Sequence, residues 1–201
     1  SIFKIPELKR KIFFTFLILI VYRIGGHVPV PGVNAQALIE YFEQQQSGLL
    51  GLYDLFAGGA FKRATIFALG IMPYISASII LQLFVGAKII KLDLTKKEDK
   101  AIYQGTQKIL VIVMIVVEAI PQIFGYLQPS DGLVSMAGGL GTANLIIVVQ
   151  LVIGALLVFF MDELISKWGI GSGISLFIAA GVSQSIFTGL FNWLPVSVGA
   201  L

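Results

Sequence analysis

A glycine-rich, greasy piece too short to cross a bilayer runs directly into a segment long enough to do so. The two together occupy residues 47–84, SGLLGLYDLFAGGAFKRATIFALGIMPYISASIILQLF. The first piece, GLLGLYDLFAGGAF, is followed by the charges Lys62 and Arg63. A spanning helix needs about 20 apolar residues, and this piece falls short of that. It is also too apolar for an ordinary loop. Backbone that dips into a membrane without crossing it must be shielded by protein or line a cavity. The pattern therefore predicts a cavity with a short segment folded into it.

Composition places the whole chain in the bilayer. Of its 201 residues, 57% are hydrophobic and 12% charged, whereas soluble domains carry about 25% charged residues. With no cysteine and a single histidine, His27, neither thiolate chemistry nor a histidine-cluster metal site is available. We expect no cofactor. The first apolar run has no small-residue cleavage site behind it and further spans follow, so no cleavable signal peptide is expected. The apolar runs predict an all-α, polytopic bundle in a single domain over 1–201, with five spans near 12–25, 65–84, 101–127, 143–161 and 173–194.

Charge placement predicts orientation. Lys4, Lys9, Arg10 and Lys11 precede the first span. Lys88, Lys91, Lys96, Lys97, Lys100 and Lys108 lie between or beside the second and third, and Lys167 between the fourth and fifth. Eleven of the 14 basic residues thus fall on one side. The positive-inside rule makes the N-terminus cytoplasmic and the C-terminus external, in the plasma (inner) membrane. The same bias accounts for the net charge of +3, so no nucleic-acid partner is inferred from it. Contact with anionic membrane lipid is sufficient.

Several short motifs have a bland and a sharp reading. HVPVPG, residues 27–32, is a proline-stiffened extended strip, and His27 in it reads as an interfacial hydrogen-bonding residue before a pH switch. Asn34 is placed to cap a short helix bearing Glu40 and Glu43. Ile71 and Ile75 stand one helical turn apart, as do Ile174 and Ile178. The pairs fit lipid-facing or core packing, or else a narrow apolar constriction that closes by dewetting. WGIGSGIS, residues 168–175, has the glycines of a phosphate loop but neither the preceding strand nor the following Gly-Lys-Ser/Thr, and it reads as a tight interhelical turn. Adjacent Asp162 and Glu163 make a poor acid–base pair and read as an interfacial charge cluster with Lys167. Glu118 is the one acid well inside a span, either part of an ion path or a structural hydrogen-bonding group. No nucleophilic triad, metal-protease motif or paired intramembrane carboxylate is present, so an enzyme is not expected.

The longer motifs resemble one family. KIPELKRKIFFTFLILIVYRIGGHVPVPG followed by GLYDLFAGGAFKRATIFALGIMPYISASIILQL resembles the opening of SecY-type protein-conducting channel subunits. LFVGAKIIKLDLTKKEDKAIYQGTQKIL and MDELISKWGIGSGISLFIAAGVSQSIF are similar to the same regions of SecY and its eukaryotic alpha-subunit relative. The part up to about Leu83 is closer to bacterial members, and 84–110 and 161–187 to archaeal and eukaryotic ones, a mosaic. Where bacterial members carry an arginine-rich loop, this chain has KLDLTKKEDKAIYQGTQK.

The resemblance implies an inverted-repeat channel of two five-helix halves, of which this is the N-terminal one, moving polypeptide across and into the membrane. It implies a plug over 48–61 with Leu49, Leu50, Leu52, Tyr53, Leu55 and Phe56. It implies a pore ring containing Ile71, Ile75, Ile174 and Ile178. It also implies that the second and third spans form one lip of a lateral gate, where we place Pro73, Ser76, Ser78, Gln82 and Gln104. Implied partners are a SecE-like clamp subunit, a small third Sec subunit and the C-terminal half of the channel. A ribosome or motor ATPase, docking mainly through that other half, signal sequences and unfolded polypeptide complete the set. Two alternatives stand beside this reading: half of an inverted-repeat secondary transporter, and a non-conducting membrane scaffold subunit.

Overall fold

A computed structural model describes residues 6–44 and 64–191. Seven helices account for most of them: α1 (Pro6–Gly25), α2 (Ala35–Gln44), α3 (Met72–Gly86), α4 (Lys97–Gly125), α5 (Asp131–Ala137), α6 (Leu140–Trp168) and α7 (Gly173–Leu190). Among the described residues there is no sheet, only the isolated bridges Pro29–Thr65 and Val33–Pro129. The all-helical expectation holds. By length and composition, α4 and α6 can cross a membrane, whereas α3 and the described part of α7 are shorter apolar helices. At about 1.5 Å per residue, each 29-residue helix is some 43 Å long and overreaches the hydrocarbon layer of about 30 Å.

Local chemistry explains the helix starts. Pro6 opens α1 where its missing N–H is no loss, with Glu7 in the first turn and Arg23 in the last, both complementing the helix dipole. The Asn34 side chain accepts from the Ala37 amide at 3.3 Å, the cap expected for α2. The Ser130 hydroxyl does the same for α5, accepting from Leu133.

One boundary differs sharply from the sequence expectation. The apolar pattern predicts the second span over 65–84, but helix begins only at Met72 and runs to Gly86. Residues 64–71 are non-helical and, apart from half-buried Ile66, fully buried. Ala64 and Gly70 both take left-handed torsions, at φ 47° and 54°, which no helix continues through. Pro73 then sits in the first turn of α3, where it initiates rather than breaks.

The bundle is built on α6, which packs against α1, α4, α5 and α7, while α3 lies along α4. Two apolar clusters result. The larger joins Ala68, Leu69 and Ala77 to Val111 and Ile115 of α4 and to Ile147 and Leu151 of α6. The other gathers Ile18 and Tyr22 of α1, Phe67, Ile71, Val158 and Ile165 of α6, and Ile174 and Phe177 of α7.

Candidate functional site

Buried irregular backbone must find partners for its N–H and C=O groups, and 64–71 finds them in the proline strip. Val30 N–H donates to the Ala64 carbonyl at 2.8 Å and Ile66 N–H to the Val28 carbonyl at 3.0 Å. The strip is therefore extended over 28–30, whereas Pro31 and Gly32 form a turn with Gly32 at φ 88°. Its other side is held by the 128–130 connection, with Asn34 N–H on the Gln128 carbonyl at 2.9 Å and Ser130 N–H on the Gly32 carbonyl at 2.7 Å. Exposed His27 donates a 2.8 Å bond from Nδ1 to the Arg23 carbonyl, which is the bland reading of that residue.

The same segment crosses α6 at Gly154. A Cβ there would overlap the Ile66 carbonyl oxygen, so only glycine admits the crossing. Sequence reasoning missed this residue. One glycine inside an apolar helix carries no signal of what passes over it.

That crossing delivers Ile71 to the N-cap of α3, 1% exposed, with the Ile75 amide bonded back to its carbonyl at 3.2 Å. Opposite stands the start of α7. Asp162, only 5% exposed, accepts from the Ile174 amide at 3.0 Å and from the Gly173 amide. The expected charge cluster holds for Glu163 with Lys167 and is corrected for Asp162. Neighbouring residues on α6 part company: Asp162 turns inward to cap α7, while Glu163 turns outward to Lys108 at 2.6 Å and Lys167 at 3.7 Å. The tight turn expected at 168–175 is present as residues 169–172. It is pinned from α1 as well, because Thr15 Oγ1 donates to the Lys11 carbonyl and accepts from the Ile170 amide at 3.1 Å.

The four isoleucines consequently share one apolar cluster, Ile71 and Ile174 buried, Ile75 and Ile178 half-buried and packed against it. Ile71 and Ile174 also line a common void of about 10 Å³, barely enough for one water and lined by side chains that offer it almost no partner. Tyr22 stacks between Phe67 and Phe177, at 5.8 and 4.2 Å, and ties α1 into the same cluster. Sequence reasoning passed over Tyr22 as one more member of an apolar run.

The residues placed on the gate helices separate into two sets. Ser76 hydrogen-bonds Glu118, and Gln107 Nε2 donates to Ser78 Oγ at 2.5 Å while that hydroxyl donates to the Tyr74 carbonyl. These are polar rungs between α3 and α4, and they give Glu118 a hydrogen-bonding partner in Ser76. Pro73 is buried in the first turn of α3, whereas Gln82 and Gln104 are exposed and not joined to those rungs. The plug candidates Leu49, Leu50, Leu52, Tyr53, Leu55 and Phe56 lie outside the described residues.

This helical bundle, with its folded-in irregular segment and buried aliphatic centre, is similar to solved membrane channels. It superposes with a TM-score of 0.67 on the structure of a protein conducting channel, 33% identical, covering 92% of this chain and 38% of that one. The score and both coverages are the same for Sec61 in the canine ribosome–channel complex from the endoplasmic reticulum, 34% identical. The SecY family profile matches residues 65–199. This chain belongs to the SecY family, and with its long apolar helices it is a membrane protein. Protein translocase subunit SecY of Archaeoglobus fulgidus is 50% identical over 188 residues, 92% of this chain and 36% of the relative. The Pseudomonas aeruginosa subunit of the same name is 40% identical, over 89% of this chain and 40% of its own length. The chain thus spans about two fifths or less of these relatives.

Proposed function

We propose that this chain supplies the N-terminal part of a protein-conducting channel, serving translocation of unfolded polypeptide and insertion of apolar segments into the bilayer. The observation that carries the reading is the gathering of Ile71, Ile75, Ile174 and Ile178 into one cluster at the starts of α3 and α7. Branched aliphatic side chains offer no hydrogen bonds to retain a passing peptide, and a dry aliphatic waist opposes ion entry. The proteins it resembles are channels and translocase subunits rather than enzymes.

Within that reading α3 and α4 form one lip of a lateral gate, and the serine rungs hold the lip together. Segments leaving through it are sorted by their own transfer energy, about −0.3 to −0.6 kcal/mol per strongly apolar residue. The five spans, the plug over 48–61, the cytoplasmic N-terminus and the external C-terminus belong to the same proposal. So do a SecE-like clamp, a small third subunit, the complementary C-terminal half, and a ribosome or motor ATPase. Pairing with an inverted copy of itself is opposed by the one-sided basic residues. A C-terminal tag found equally on both membrane faces would contradict that orientation.

The test is a photocrosslinker placed at Ile71 or Ile178 of the chain assembled with its complementary half, challenged with a stalled secretory precursor. Crosslinks to the precursor are expected. Saturable uptake of a small solute with no such crosslink would instead establish the transporter alternative.

A further inference from the structure

Tyr22 carries a hydroxyl that its own cluster cannot use. The side chain is 3% exposed, and its buried Oη has no hydrogen-bond partner among the described residues. The other buried side chains of that cluster are apolar. A bridging water would need roughly two to four polar partners, and those walls add none to the hydroxyl itself. A buried hydroxyl without a partner keeps its desolvation cost. The closed cluster thus holds a penalty that opening to water removes.

The placement of the ring decides which movement removes it. Phe67 belongs to the 64–71 link that delivers Ile71, and Phe177 lies on α7 between Ile174 and Ile178. Tyr22 stacks on both, at interplanar angles of 11° and 17°. Phe67 and Phe177 are themselves buried. Moving the Ile71 end of the link away from α7 therefore takes one phenylalanine off the Tyr22 ring. Loss of stacking and of apolar burial opposes that step, whereas hydration of Oη favours it.

We propose that Tyr22 is a positioning residue that sets how readily the two isoleucine pairs part. Its ring clamps the link to α7, and its unpaired hydroxyl weakens the clamp enough for the pairs to separate and close again. Phenylalanine at this position clamps harder, and leucine, which cannot stack, clamps more weakly. The balance within the stack needs only the packing described. That the parting admits polypeptide rests on the channel reading above.

The chain has no cysteine, so a buried residue replaced by cysteine is the sole thiol, and a water-soluble methanethiosulfonate reaches it only on opening. Two reporters are compared in detergent, Ile174→Cys in this cluster and Val111→Cys in the larger one, at residues 7% and 2% exposed. Modification is expected to be faster at position 174 than at 111, because this cluster parts without the whole chain unfolding. Adding Tyr22→Phe should slow modification at position 174 about fivefold, within the range set by one buried hydroxyl left unpaired. Tyr22→Leu should quicken it. Tyr22→Phe should also raise the thermal midpoint by about 3 °C. Equal rates at the two positions overturn the assignment, as does a rate at position 174 that Tyr22→Phe leaves unchanged or raises. In the chain assembled with its complementary half, Tyr22→Phe should lower crosslinking from position 178 to the stalled precursor by a similar factor. Slowed modification with no precursor crosslink from either chain would overturn the channel reading alone.

Discussion

Residues 64–71 and residues 169–172 are both irregular links inside a bundle of membrane helices, and they are held in opposite ways. The first is satisfied by backbone, through Val28, Val30 and the Pro29–Thr65 bridge, and it depends on a missing side chain at Gly154. The second is satisfied by side chains reaching in from neighbouring helices, Thr15 from α1 and Asp162 from α6. Each link delivers one isoleucine pair to the shared cluster. The difference teaches that a buried link without regular structure needs full hydrogen bonding but no particular source of it. It also predicts that the two links fail differently.

The first link should fail by collision and the second by lost bonds. Gly154→Ala pushes a methyl into the Ile66 carbonyl, and because both sides of that contact are backbone, neither yields cheaply. A loss of about 3 kcal/mol is expected, the upper end of what overpacking costs, read as a steep drop in thermal stability of the purified protein in detergent. An unchanged midpoint would show that the crossing is looser than described. Asp162→Ala removes a charged acceptor from two buried amides and should cost about 2 kcal/mol, with faster hydrogen exchange at Ile174. Asp162→Asn keeps an acceptor and should recover part of that. Thr15→Val leaves the Ile170 amide without its partner and should cost about 1 kcal/mol. If it costs as much as Asp162→Ala, the turn is pinned mainly from α1.

Smaller effects sharpen the same contrast away from the two links. Ser78→Ala removes the Gln107 rung between α3 and α4, and membrane hydrogen bonds of this kind average about 0.6 kcal/mol. Within the proposed gate this variant should ease separation of α3 from α4, read by spin-label distances across the pair. The smallest effect belongs to the exposed 87–96 connection, where the Thr95 hydroxyl and amide both donate to Asp93. These bonds hold the Asp93 carboxyl below its ordinary value. A depressed acid contributes fully above its unfolded pKa and loses that contribution as pH falls through the folded one. The turn should therefore loosen only in acid, and Thr95→Val should raise the Asp93 titration in an NMR pH series.

Much of this molecule was legible in the residues. Apolar runs announced α4 and α6, Asn34 announced the start of α2, and the proline strip is extended over 28–30. The family was legible from long motifs in order. The start of α3 was not, because Thr65–Leu69 is as apolar as any helix. What stops it is pairing with a strip some 35 residues earlier, together with the left-handed torsions at Ala64 and Gly70. Asp162 and Glu163 were legible as charges but not as opposites, since only the position of α7 decides which carboxylate meets buried amides.

Sequence alone determined that this chain lies in a membrane and is helical there, since hydropathy is summed along the chain. Tertiary structure alone decided that two isoleucine pairs a hundred residues apart meet. Spacing puts each pair on one face of its own helix, but which faces meet depends on a carbonyl crossing a glycine and a carboxylate capping a distant helix. Those are contacts between segments, and no local pattern encodes them.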